Sequence, residues 1–187
     1  MTEDLKINTD RLFLRPINLD NIEEIFKYRS DAVSNKYQSW IPETTNDVSD
    51  FINDRVSAII DLFDTWYQFV IIKKDDLKLI GDIGIHFLDK NEKQVEIGIT
   101  LDKNFQGKGY ATEALKQVIK YLFTDLNKHR ITVSLDPRNV KSMNLIERLG
   151  FRKEAHFKES ILSDGKWVDD LVYALLKSEW SKKNDSD

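Results

Sequence analysis

Residues 95–112, Val-Glu-Ile-Gly-Ile-Thr-Leu-Asp-Lys-Asn-Phe-Gln-Gly-Lys-Gly-Tyr-Ala-Thr, constrain the fold more than any other stretch of the chain. From Val95 to Leu101, apolar side chains recur at every second position and β-branched residues dominate, which predicts a strand. The end of the stretch opens a helix. Between the two, Gln106-Gly107-Lys108-Gly109-Tyr110-Ala111 leaves little side-chain bulk, so a ligand can come close to the backbone. The first turn of a helix has N–H groups without intrahelical partners, and the helix dipole adds partial positive charge. A strand, a glycine loop and a helix start therefore make a place to hold a phosphate or pyrophosphate, with Lys108 beside it.

Three rival accounts of this loop can be weighed on spacing. The Gly-x-x-x-x-Gly-Lys-Ser/Thr pattern of a P-loop is absent. A dinucleotide-binding turn is nearer, since Gly107-x-Gly109 follows a strand and Asp136 ends the next one. However, Thr112 stands at the third glycine position, and Asp136 comes later than the usual acidic residue. A plain strand-to-helix turn explains two glycines but not Gln106 and Ala111 at their spacings.

The 187 residues suit one domain, 1–187, with ample length for a buried core over about residues 8–180 and a polar tail at 181–187. Hydrophobic residues at 41% and charged ones at 32% are ordinary for a soluble globular protein. A net charge of −4 gives no reason to expect a nucleic-acid partner. The absence of cysteine excludes disulfides, zinc–thiolate sites and a thiol nucleophile. His86, His129 and His156 are widely spaced and form no metal-type motif. Nothing has the pattern of a signal peptide or membrane span, so the expectation is a cytoplasmic location and no membrane partner.

In order, the pattern predicts a strand over residues 7–17 and a helix over 19–29 capped by Asn18 or Asp20. A loop over 30–40 follows, whose Tyr37 and Trp40 either line a substrate cleft or form a small satellite core. A second helix runs from Thr44, Thr45 or Asn46 to about Leu62, burying Val48, Phe51, Ile52, Val56, Ile59 and Ile60. Strands over 66–73 and 79–88 and a hairpin turn over 89–93 lead into the central strand as an antiparallel meander. A helix from Gly109 to about Leu126 has a broad apolar face and connects to a parallel strand over 131–135. Asn139 caps a helix with Val140, Met143, Ile146 and Leu149 inward, and Gly150 stops it. Strands over 151–162 and 166–176 meet at the turn Ser163-Asp164-Gly165, and the tail after Trp180 frays.

Gln106-x-x-Gly109-x-Ala111 resembles the acetyl-CoA pyrophosphate loop of the GNAT superfamily of N-acetyltransferases. Glu96-Ile97-Gly98-Ile99 resembles that family's central strand, and Asn139-x-x-Ser142 with Leu149-Gly150-Phe151 its second conserved segment. With Asp10-Arg11-Leu12-Phe13-Leu14-Arg15-Pro16, the set resembles the RimJ/RimL-like branch, typified by ribosomal-protein N-terminal acetyltransferases. The resemblance implies a mixed α/β (α+β) GNAT fold. This is a mostly antiparallel seven-stranded sheet with about four helices and a V-shaped splay between the central strand and the parallel strand after it. It implies acetyl-CoA as cofactor, direct transfer to a primary amine and a homodimer, although no sequence feature demands a dimer.

Carried onto these positions, the resemblance places Ile99, Thr100 and Leu101 along the pantetheine arm, and Gln106, Gly107, Lys108, Gly109, Tyr110, Ala111 and Thr112 at the pyrophosphate. Asn139 and Ser142 would contact the cofactor. Glu96 stands near where some members keep a catalytic glutamate; its alternative is a structural strand carboxylate. Glu159, Asp169, Asp170 and His86 are rival bases, and His86 with Tyr37 and Trp40 are candidate acceptor-site residues. Where many relatives carry a tyrosine acid this chain has Ile146, which leaves Ser142 as proton donor or positioning residue. The acceptor is a protein N-terminal amine or a small amine such as an antibiotic or polyamine. A non-catalytic acyl-CoA sensor and a nicotinamide-dependent oxidoreductase are the readings from other classes.

Overall fold

The computed structural model describes residues 5–184 except Ser39, residues 89–92 and Asp164. Its strands are β1 (Ile7–Asn8), β2 (Leu12–Pro16), β3 (Trp66–Lys73), β4 (Leu79–Phe87), β5 (Gln94–Leu101), β6 (Arg130–Leu135), β7 (Arg152–Ser163) and β8 (Lys166–Leu176). Its helices are α1 (Ile22–Arg29), α2 (Thr45–Asp54), α3 (Tyr110–Thr124), α4 (Val140–Arg148) and α5 (Lys177–Asn184). The strands form one eight-stranded sheet in the order β1-β2-β3-β4-β5-β6-β8-β7. Neighbouring strands are antiparallel except β5 and β6, the pair that helix α3 connects. The turn predicted at 89–93 lies outside the described residues apart from Lys93. So do Asp164 of the predicted hairpin turn and residues 185–187 of the predicted tail.

Three elements differ from the sequence-based expectation, each for a local reason. The single strand predicted over 7–17 is a hairpin, which raises the strand number from seven to eight. Thr9 closes it: its N–H donates to the Leu12 carbonyl at 2.9 Å, and its hydroxyl accepts from the Leu12 N–H at 2.9 Å. Helix α2 stops at Asp54, not near Leu62. There Val56 bridges to Trp66, Ser57 donates to the Trp66 carbonyl at 2.7 Å, and Asp61 and Asp64 take positive φ angles of 65° and 56°. Ile59, expected inside, is consequently 60% exposed. The tail is helical through Asn184: Glu179 accepts from the Leu176 N–H at 2.9 Å and pairs with Arg152, while Trp180 packs on Phe123. Val140, also expected inside, is exposed at the start of α4.

Strand alternation sorts the core into two clusters. On one face, Ile83, Ile85, Phe87, Val95 and Ile97 pack with Leu115, Val118, Ile119 and Leu122 of α3 and with Ile146 of α4. On the other, Ile25 and Tyr28 of α1 and Val48 of α2 pack with Val70, Ile72 and Leu79. Among these apolar groups sits the buried carboxylate of Asp82. It accepts from Arg29 through Nε at 2.8 Å and Nη2 at 2.5 Å, from Gln68 Nε2 at 2.8 Å, and from the Tyr28 hydroxyl. Burial works against the Arg29 charge, but Asp82 outweighs it and the guanidinium's pKa is raised. Burial, then the Asp82 charge, lifts the Tyr28 hydroxyl well above the usual phenol range. This hub ties α1 to the middle of the sheet. Tyr28→Phe removes one donor to a buried carboxylate and should cost about 1.5–3 kcal/mol in urea unfolding. An unchanged midpoint would mean that the hub does not hold α1.

Candidate active site

The region after β5 is built by tight local turns. Asp102 caps a short 3-10 turn over Lys103–Phe105, accepting from the Asn104 N–H at 2.9 Å. The Gln106 side chain then donates back to the Leu101 carbonyl at 3.1 Å, so it folds the loop against the strand end. Gly107 and Gly109 have φ angles of 75° and 83°. That left-handed geometry is cheap only for glycine, and Gly109 uses it to launch α3 as its N-cap. The Lys108 ammonium is turned back onto the Asn104 carbonyl at 2.8 Å.

The loop is also anchored from the N-terminal strands, by residues to which the sequence assigned no role at the loop. Glu113 of α3 accepts from the Thr9 hydroxyl at 2.6 Å and from Arg11 through its backbone N–H at 2.8 Å and Nε at 2.6 Å. Partial burial opposes the Glu113 charge, but these bonds hold its carboxyl below the usual range. Arg11 also donates to the Lys108 carbonyl at 3.1 Å, and its guanidinium lies 4.5 Å from the centre of the Tyr110 ring.

Beyond the loop the sheet forks. Strands β5 and β6 pair only at Gln94–Arg130, Val95–Ile131 and Glu96–Thr132. From Ile97 and Val133 onward they diverge, as the expected splay requires. A cleft of about 1070 Å³ opens beside the fork. Of the predicted residues, Ile99, Thr100, Leu101, Gln106, Gly107, Gly109, Tyr110, Ala111 and Thr112 line it, with Asn139, Ser142 and Tyr37 facing them. Asn139 caps α4 by accepting from the Ser142 N–H at 3.2 Å. The cleft mouth also carries Lys103, Arg138, Lys141 and Arg148. Lys141 and Arg148 stand seven residues apart on one face of α4, while Arg138 precedes its cap and is bound to Asp136. At the apex of the fork a smaller cavity of about 80 Å³ reaches Gly98, Ser134, Leu115 and Ile146 and shares Tyr37, Gln38, Ile99, Asn139 and Ser142 with the cleft.

The remaining candidates lie elsewhere. Trp40 stacks on Phe51 with ring centres 4.4 Å apart and belongs to the satellite core over α1 and α2, not to the cleft. His86 stacks on Trp66 at 4.7 Å, and its Nε2 lies 3.3 Å from Asp64. Glu96 is directly opposite His86 in the β4–β5 register, half-buried, on the sheet face away from α3. Burial raises the Glu96 carboxyl pKa, His86 pulls it down, and Asp170 adds to the rise. Asp170 accepts from the Ser134 hydroxyl at 2.6 Å. Asp169 is a poor base: hydrogen bonds from Lys158, the Glu159 N–H and His156 hold it far below the usual carboxylate range. Glu159 sits exposed on the irregular part of β7 with a φ of 45°. Asp136, the acidic residue of the dinucleotide alternative, is bound to Arg138.

These features fit a nucleotide-diphosphate thioester. Nothing lies within 4 Å of where a Gly107 Cβ would stand, the helix start and basic side chains line the cleft, and the end of β5 has no strand partner on its β6 side. A model of the acetyltransferase (GNAT) domain matches residues 11–152. An uncharacterized N-acetyltransferase of Bacillus subtilis, YnaD, is 33% identical over 180 residues, covering 95% of this chain and 100% of that protein. The [ribosomal protein uS5]-alanine N-acetyltransferase of Escherichia coli is 38% identical over 116 residues, 62% of this chain and 60% of that one. The crystal structure of spermidine N-acetyltransferase from Vibrio cholerae, in complex with CoA and spermine, superposes with a TM-score of 0.79 at 24% identity. It covers 91% of this chain and 98% of that one, a likeness of fold. The chain belongs to the GNAT acetyltransferase family, whose enzymes move acetyl from acetyl-CoA to an amine acceptor. Among the described residues no helix is long and apolar enough to cross a membrane, and no cluster of side chains is suited to a metal ion.

Proposed function

We propose that this chain transfers acetyl from acetyl-CoA directly to a primary amine, with an N-terminal α-amine as the favoured acceptor. The continuity of the glycine loop, the forked strands and the small cavity at their apex carries this reading. Acetyl-CoA, when bound, supplies an activated acyl carbon and a thiolate leaving group. Backbone N–H groups of residues 107–112 hold the pyrophosphate, with Lys141 and Arg148 near the mouth adding positive charge. The end of β5, Ile99 to Leu101, pairs with β4 but has no strand partner on its β6 side; it lies along the pantetheine arm, and one of its amides supports charge on the thioester oxygen.

As the new C–N bond forms and the C–S bond breaks, the amine gives up a proton. Glu96, with its raised pKa, receives that proton directly or through water. Ser142 lines both cavities, so its hydroxyl positions the sulfur end of the ligand. A hydroxyl is a poor acid, and positioning is the role that suits it.

The choice of an α-amine rests on proton affinity. A peptide N-terminus has a pKa of about 7.7–8.0 against about 10.4 for an alkyl amine, so a carboxylate base has much less to do. The uS5 relative acts on such an amine by its name. The Vibrio structure keeps a second acceptor open, a polyamine, which the carboxylates Glu96 and Asp170 on one sheet face also suit.

Calorimetric titration with acetyl-CoA, with NADH as control, tests the cofactor. Binding in the micromolar range with none for NADH is expected, followed by thiol release with peptides bearing free N-termini. No acetyl-CoA binding by folded protein would remove the assignment. Binding without thiol release for any amine would favour a sensor.

A further inference from the structure

Glycine in a strand interior costs about 0.5–1 kcal/mol relative to alanine and needs a reason. The sheet has three such positions in β4 and β5. Gly81 has one: a Cβ there would stand 2.3 Å from the Thr100 carbonyl oxygen. So does Gly84, where a Cβ would meet Gln68 Oε1 at 2.8 Å and the Trp66 ring at 3.3 Å. Gly98 has no packing reason, because a Cβ there meets nothing within 4 Å. Its register partner across the strands is Gly84, whose space Gln68 and Trp66 fill, so the gap in this face of the sheet lies at Gly98.

The place of that gap is chemically specific. Gly98 shares its face with Glu96 on one side and Thr100 on the other. Two residues of strand put Glu96 about 6.6–6.8 Å away along the chain, one small amine's length from the gap. Gly98 also lines the cavity at the apex of the fork, facing Ser134, whose hydroxyl holds Asp170. The Trp66–His86 stack walls the gap on the β3–β4 side. The gap is thus an opening from the carboxylate-bearing face into the cavity at the end of the proposed acyl-CoA cleft.

We propose that Gly98 is the acceptor port: the amine passes over the missing side chain, and the residue at 98 sets how much bulk the amine-bearing carbon can carry. This rests on the acetyltransferase function proposed above. It assigns the acceptor as a primary amine whose neighbouring carbon carries hydrogen or a methyl-sized group. Glu96 and Asp170 stand close enough to draw in its cationic form.

The test compares wild type with Gly98→Ala and Gly98→Val. The site has open space and a strand backbone, so both variants should fold; thermal unfolding checks this. Acceptors are short peptides with N-terminal Gly, Ala or Val and a straight-chain diamine. Wild type should prefer Gly and Ala over Val. Gly98→Ala should lose Ala before Gly through a raised acceptor KM, and Gly98→Val should lose on the order of 10²-fold on every amine that wild type acetylates. Acetyl-CoA affinity by calorimetry should stay within about two-fold in both variants, since neither change touches the glycine loop. Folded variants with wild-type acceptor preference and turnover would overturn the port while leaving the acetyltransferase assignment standing. A wild-type protein that neither binds acetyl-CoA nor acetylates any amine would bring down both.

Discussion

Replacing Gly109 with aspartate should give a folded protein that has lost CoA binding. Gly109 has a φ of 83° as the N-cap of α3, and a Cβ there would stand 3.3 Å from the Arg11 guanidinium. Any side chain is strained at this φ, but aspartate and asparagine bear left-handed geometry better than most, so the helix start should survive at some cost in stability. The change acts on the ligand, because the carboxylate puts a negative charge where the helix dipole and loop N–H groups would receive phosphate. Two like unit charges about 4 Å apart repel by about 4 kcal/mol at an effective dielectric of 20. Since about 1.4 kcal/mol is a factor of ten, the dissociation constant for acetyl-CoA should rise by at least about 10²-fold. Gly109→Asn keeps nearly the same shape without the charge and should retain much more of the affinity. If folded Gly109→Asp bound acetyl-CoA like wild type, the loop would be a structural turn.

The loop was legible from sequence because its information is local: two glycines at fixed spacing between a strand period and a helix period. The alternation of β5 likewise put Glu96 and Gly98 on one face before any partner strand was known. What stayed hidden depended on distant partners. Tyr37 and Trp40 are three residues apart in one loop, and only the stacking of Trp40 on Phe51 sends one into the satellite core while the other reaches the cleft. The apolar period of α2 runs on through Ile59 and Ile60. The chain nevertheless leaves the helix, because Val56 and Ser57 pair with Trp66 and the Asp61 carboxylate meets buried Lys128. The β1–β2 hairpin turn has neither glycine nor proline; Thr9 makes it with its own hydroxyl. Arg11 counted only as part of a family-like motif until the fold set it beside Lys108 and Glu113.

Glu96→Gln should separate chemistry from structure at the residue where sequence left both readings open. In its proposed role of proton acceptor Glu96 would contribute about 10²–10⁴-fold, and the amide, which cannot take a proton, should lose that much turnover. The stability effect has the opposite sign from that of a structural carboxylate. Burial raises the folded Glu96 pKa above its unfolded value, so the native state favours the protonated form. The resulting stabilisation is complete below the unfolded pKa and is lost as pH rises through the folded one. At neutral pH the charged carboxylate therefore opposes folding, and Glu96→Gln should unfold at the same or a higher temperature than wild type. Wild-type turnover should fall as pH drops through the raised Glu96 pKa. The variant should lack that limb. A variant that unfolds earlier while keeping wild-type turnover would make Glu96 a structural partner and move the search for the base to Asp170, the other carboxylate close enough to raise its pKa.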